Sequence, residues 1–197
     1  LEGDINLVLD PTQAKEQEEY YKELNKKMLS QKIDVLNAGF PCQAFSIAGY
    51  QKGLEDERGN LFLSIINTVK QLGERYEKPR ILFLENVKNL QSHDRGNTYA
   101  VIQGAIEHEG YIVKSVVLNT MFYSNLPQNR ERIYIVCFRD REDADRFNMF
   151  DNIENFKRTF TKKQREEQIK EIIDYNQKAP SQYYYTKGRY PHYFLSP

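Results

Sequence analysis

Three groups of side chains in this sequence are of the types, and at the places, that do chemistry. Cys42 comes first: an ionised thiol is a strong nucleophile, and this one follows Pro41 at the end of an apolar run. The run Ile33-Asp34-Val35-Leu36 reads as a strand that ends at Gly39. Pro41 lacks an N–H and has a fixed φ, so it stops strand pairing and turns the next side chain out of the sheet. Cys42 is read as presented rather than packed, although an isolated free cysteine is more commonly a small core hydrophobe. Glu85 is the second group, standing in Glu85-Asn86-Val87 behind the apolar run Arg80-Ile81-Leu82-Phe83-Leu84. Burial can raise the pKa of a carboxylate at the rim of such a strand, which suits a proton or hydrogen-bond donor; a solvated strand-end glutamate is the alternative. The third group is Arg130 and Arg132 in Gln128-Asn129-Arg130-Glu131-Arg132. Residues two apart in an extended chain point the same way, so both guanidiniums can face one site and donate to a carbonyl or phosphate, or else form a solvated cluster.

The elements that must hold these groups are legible as alternating apolar runs. Leu61 to Val69 has the spacing of a helix with a buried face, capped by Asn60. Arg80–Leu84 is short and continuously apolar, as a central parallel strand is, and ligands of open α/β sheets bind at the carboxyl ends of such strands. Asn97 to Glu109 reads as a helix stopped by Gly110; Tyr111–Leu118 and Ile133–Phe138 read as strands. The alternation from Ile33 to Phe138 predicts an α/β fold with a parallel sheet and crossover helices. Before it, Asp10-Pro11 predicts a helix start, and the segment to Ser30 carries Tyr21, Leu24 and Met28 on one face with Glu18/Lys22 and Glu23/Lys27 at ion-pair spacing. A solvated surface helix is expected there. Ser46 to Gly59 holds three glycines and mixed charges without a period, the composition of a loop.

Composition bounds the function class. The chain of 197 residues has 28 Lys+Arg against 28 Asp+Glu, so any basic surface for a nucleic acid must be local. Its 2 cysteines form no metal-spaced or disulfide framework, which favours a reducing, intracellular setting, and Cys137, inside a strand, is expected to be inert core. No apolar run approaches the roughly 18 residues of a membrane span. His93, His108 and His192 have no partners at ligand spacing, and no metal site is expected. From Asp140 charge and amide residues dominate, with a helix expected from Thr161 to Asp174. The tail Ser181–Phe194 interleaves tyrosines with Lys187 and Arg189, which suits contact with nucleic acid or the packing of a small second domain.

Phe40-Pro41-Cys42-Gln43, Glu85-Asn86-Val87 and Gln128-Asn129-Arg130-Glu131-Arg132 resemble the Pro-Cys, Glu-Asn-Val and Gln-x-Arg-x-Arg motifs of DNA (cytosine-5) methyltransferases. Each is weak alone; three in the family's order, each beside a strand, are specific. The similarity runs from Gly3 to Phe138 and fades beyond Arg139. It implies a partial Rossmann-like S-adenosylmethionine-dependent methyltransferase sheet followed by the start of a small target-recognition domain. On that reading residues 1–139 are the partial catalytic domain, 140–180 a linker or peripheral helix, and 181–197 the start of the recognition region.

The resemblance also implies roles. Cys42 is the nucleophile toward carbon 6 of a flipped-out cytosine, Glu85 serves ring nitrogen 3, Arg132 holds the 2-carbonyl and Arg130 supports the site. Asp4 and Ile5, in Gly3-Asp4-Ile5, together with Pro41 contact S-adenosylmethionine. Phe40, Pro41, Gln43, Ser46, Asn86 and Gln128 face the cytosine or its DNA, and the loop after Cys42 closes over the duplex. Double-stranded DNA is the implied partner, with no membrane and no metal, in the bacterial cytoplasm at the nucleoid, as part of a restriction-modification system. The family's glycine-rich cofactor turn and ribose-binding acid do not precede Gly3, and the segment from Asp10 to Ser30 looks like an insertion. The chain is therefore expected to be a fragment or one half of a split enzyme, inactive alone and completed by another chain. Two other readings stay open: a relative acting on RNA, and a non-catalytic DNA-binding remnant.

Overall fold

Four apolar runs pair into one sheet in the computed structural model, which describes residues 4–40 and 60–172. They are β1 (Val35–Gly39), β2 (Ile81–Val87), β3 (Ile112–Asn119) and β4 (Glu131–Phe138), in spatial order β1-β2-β4-β3. β1 and β2 are parallel, but β4 runs antiparallel to both β2 and β3, so the sheet is mixed where the sequence predicted a parallel one. The reason lies in the connections. A parallel neighbour needs a crossover of a dozen residues or more, normally a helix. β1 and β2 are joined across helix α3 (Asn60–Arg75), and β2 and β3 across α4 (Asn97–His108). Between β3 and β4 the only helix is the single turn α5 (Thr120–Tyr123), and the chain reverses on itself.

Side chains alternate along β2, with Leu82, Leu84 and Asn86 buried and Ile81, Phe83, Glu85 and Val87 half-buried on the other face. α3 and α4 cover the first face. Phe62, Ile65, Ile66, Val69 and Leu72 recur at helical spacing and are buried, and the first four, with Ile102 and Ile106 of α4, form the core against Leu82, Leu84, Ile133 and Ile135. Gly110 takes φ +89, the left-handed conformation that ends α4 without a Cβ penalty. On the other face, past the composition change at Asp140, α6 (Arg141–Arg146) packs Ala144 against Val136 and Phe138. α7 (Lys162–Ile172) follows, within the helix expected from Thr161 to Asp174. The outer edge of β1 pairs with no described strand, and Val35 there is 54% exposed.

The first segment differs from its expectation. Pro11 opens a 3-10 helix over Pro11–Gln17 that breaks at Lys15 (φ 49), and the α-helix α2 spans only Glu18–Met28. Asp10 does not cap the backbone. Its carboxylate accepts from the Thr12 hydroxyl at 2.6 Å and the Gln13 amide at 2.7 Å, two local donors that compete for the capping oxygen. Tyr21, Leu24 and Met28 do share a face, packed with Val8 of α1 (Ile5–Leu9) in a small separate cluster. Glu18 and Lys22 pair at 2.7 Å. No described helix is long and apolar enough to cross a membrane.

Candidate active site

The parallel register of β1 on β2 sets Gly39 opposite Glu85, and the antiparallel register of β4 sets Tyr134 opposite Glu85 and Arg132 opposite Val87. Glu85, Val87, Arg132 and Tyr134 therefore share a face of the sheet. Arg132 Nε lies 2.9 Å from Glu85 Oε1, and Arg130 Nη2 lies 3.6 Å from the same oxygen. Two residues apart, the arginines face one site, as their spacing allows, but what they meet there is the Glu85 carboxylate and not a carbonyl or phosphate. They are not equivalent: the Arg132 side chain is 19% exposed and donates again, from Nη1, to the Glu131 carbonyl at 2.7 Å, whereas that of Arg130 is 47% exposed. Glu131, between them, points the other way and pairs with Lys88 at 2.9 Å, which ties the end of β2 to the start of β4.

Glu85 sits between two cations, not in an apolar pocket, and its side chain is 33% exposed. Its other oxygen stands beside the backbone of Gly39, where a Cβ would come within 3.6 Å of Oε2. Gly39 and Phe40 are followed in sequence by Pro41-Cys42, so the acid and its two arginines lie beside the strand end that precedes Cys42 in the chain. Cys42, Pro41, Gln43, Ser46 and the glycine-bearing loop to Gly59 lie outside the described residues, as does the aromatic tail from Ser181.

The remaining expected site residues are placed as follows. Phe40 is buried, its ring centroid 5.4 Å from that of Phe62. Asn86 is also buried, and its side-chain nitrogen donates to the Phe40 carbonyl at 2.7 Å. Gln128 is exposed on the connection that ends at Arg130. Asp4 is the N-cap of α1, accepting from the Asn6 N–H at 2.8 Å. Ile5 lines a cavity of about 310 Å³ at the open edge of β1, together with Leu36, Gly39, Leu61 and Ile65. Leu61 was legible in the sequence only as part of a buried helical face; that it lines this cavity depends on how α1 and α3 meet, where Ser64 donates to the Asn6 side chain. Cys137 is fully buried, and burial pushes its thiol up to about 12, so it stays protonated and inert as expected. No group of three or more His, Cys, Asp or Glu side chains converges as a metal site among the described residues.

Known proteins resemble this chain in sequence. A family model described as C-5 cytosine-specific DNA methylase matches residues 11–195. The Type II methyltransferase M.Bsp6I of Bacillus sp. (strain RFL6) is 44% identical over 80% of this chain and 45% of its own length. The Type II methyltransferase M.HhaI of Haemophilus parahaemolyticus is 48% identical over 114 residues, which is 58% of this chain and 33% of that protein. The orphan methyltransferase M.Rho11sI of Bacillus phage rho11s is 45% identical over 59% of this chain and 22% of its own. The chain thus spans less than half the length of these relatives.

Proposed function

Because the chain belongs to the family of C-5 cytosine-specific DNA methylases, we propose that it forms the base-binding and nucleophile-bearing part of an enzyme that methylates carbon 5 of cytosine in DNA. The observation that carries this reading is the convergence of Arg130 and Arg132 on Glu85 beside Gly39, the residue that leads into Pro41-Cys42. An acid flanked by guanidiniums offers complementary partners to one edge of a pyrimidine: Glu85 shares a proton with ring nitrogen 3 and Arg132 donates to the adjacent 2-carbonyl. Arg130, more exposed, supports the carboxylate and reaches toward phosphate.

The chemistry follows from the weakness of carbon 5 as a nucleophile. The Cys42 thiolate adds to carbon 6 while Glu85 supplies the proton that neutralises nitrogen 3, and the ring becomes an enamine nucleophilic at carbon 5. S-adenosylmethionine, when bound, supplies an electrophilic methyl group. Loss of the carbon 5 proton then expels Cys42 and restores the aromatic ring. The target must leave the duplex to reach these groups, at an unstacking cost of about a few kcal/mol. The cavity beside Ile5 and Leu61 is apolar and shares Gly39 with the Glu85 site, which fits the flat adenine end of the methyl donor. Asp4 reaches that end only as the cap of the helix that carries Ile5.

The relatives' names include both Type II and orphan methyltransferases, and we place this chain with the restriction-modification enzymes. Since it spans under half of those relatives, turnover is expected from the chain joined to the remainder, or supplied with it in trans, and not from these 197 residues alone. The test is covalent trapping. DNA carrying 5-fluorocytosine cannot lose its carbon 5 substituent as a proton, so the complete enzyme stalls as an adduct on Cys42, and Cys42→Ser gives none. An adduct on any other residue removes Cys42 from the mechanism, and trapping on tRNA but not on duplex DNA moves the substrate class to RNA.

A further inference from the structure

The place of Asn86 in the sheet gives it a task distinct from contact with the base. β2 donates its Ile81 N–H to the Asp34 carbonyl at 2.9 Å, and the rungs of a parallel ladder recur every two residues. Counting by two from that rung brings the Phe40 carbonyl opposite the Val87 N–H. That rung is not made directly. The Asn86 side-chain nitrogen donates to the Phe40 carbonyl at 2.7 Å, and its oxygen accepts the Val87 N–H at 2.8 Å. The side-chain amide is therefore interposed in the rung, one end on each strand. It is 2% exposed, on the core face that carries Leu82 and Leu84, and both of its polar ends are satisfied. A buried amide with one end unmatched would cost stability, so the arrangement is held at both ends.

An amide between two strands holds them farther apart than a direct bond does, and it does so at the last residue before Pro41-Cys42. We propose that Asn86 is a positioning residue: a polar wedge that ends the β1–β2 ladder at Gly39, fixes the Phe40 carbonyl and so sets the direction in which the chain departs toward Cys42. The functional importance of that direction rests on Cys42 being the nucleophile; the wedge itself does not.

Two variants separate the wedge from simple packing. Asn86→Ser removes the interposed amide and lets Val87 N–H bond the Phe40 carbonyl directly. Asn86→Asp keeps the shape and the acceptor but, when ionised, loses the donor and sets a charge against that carbonyl. Alkylation of Cys42 by iodoacetamide in the folded chain reads the outcome without DNA or methyl donor, because the one other cysteine, Cys137, is buried. Both variants are expected to alkylate more slowly, by a factor on the order of ten, the effect of losing one good hydrogen bond's worth of positioning. Circular dichroism is the control for folding, and if Asn86→Ser fails to fold, the isosteric Asn86→Asp decides. Alkylation rates in both within about twofold of the parent, or faster, overturn the proposal, since a wedge that holds the thiol in its reactive orientation cannot be removed without slowing it. In the complete enzyme the same variants lower kcat and leave the KM for DNA unchanged. Failure of 5-fluorocytosine trapping in the parent would instead strike the proposed reaction and leave the alkylation result standing.

Discussion

Glu85 meets two cations on one oxygen and a glycine backbone at the other, and this asymmetry gives the residue its proposed use. Replacing it with glutamine keeps the shape but removes the proton that ring nitrogen 3 requires. Methyl transfer by the Glu85→Gln enzyme is expected to fall by a factor on the order of 10²–10⁴, the usual worth of an acid–base group, with little change in methyl-donor affinity. Single-turnover kinetics measure it, and a loss of about twofold would leave Glu85 as a structural ion pair only. That Arg130 and Arg132 face one side could be read from the chain because alternation in an extended segment fixes where side chains point, whatever the partner strand. Asn86 could not. Its sequence neighbours suggest a substrate contact, and only the register of β1 on β2 shows its amide standing in the rung between Phe40 and Val87.

At the scale of elements, the runs over Leu82, Ile135 and Val116 announced strands, and Ile102 and Ile106 announced a helix, because each pattern repeats a local period. Strand direction was not legible: nothing local in Ile133–Phe138 says that it lies between β2 and β3 and runs against both. The Asp10-Pro11 signal did mark a helix start, with Pro11 opening the 3-10 helix, but Asp10 does not cap it, since Thr12 and Gln13 occupy the carboxylate that would have done so. The cap in this region belongs to Asp4, whose carboxylate accepts the Asn6 N–H at the start of α1. Asp4→Ala is expected to lower stability by about 1 kcal/mol, while Asp4→Asn, an equally good cap, changes it by only about a few tenths. Denaturant unfolding checks the pair. A methyl donor bound less well by the Asn variant, with the fold equally stable, would show that the carboxylate touches the donor as well as capping the helix.

In the whole molecule the two helices on the core face meet at one charged cluster. Glu109, buried at the end of α4, accepts from Lys78 at 2.9 Å, with Lys70 of α3 3.5 Å away. Burial alone would raise its pKa, but the Lys78 hydrogen bond and the charges of Lys78 and Lys70 outweigh this and hold the carboxyl below its usual range. A group whose folded pKa is depressed adds stability above its unfolded value, about 4.3 for glutamate, and that contribution is lost as pH falls through the folded value. Glu109→Gln is expected to melt lower than the parent near neutrality, with the gap closing below about pH 4. Melting temperature against pH measures this, and a gap that stays constant into acid would assign the loss to packing alone. Glu85 and Arg132, by contrast, stand on neighbouring strands, across the seam where β2 meets β4. On the proposed reading, a pyrimidine held by both would be a clasp across that seam, so any load that pries the strands apart would also work against the bound base. By the same reciprocity a base seated there would brace the sheet that seats it.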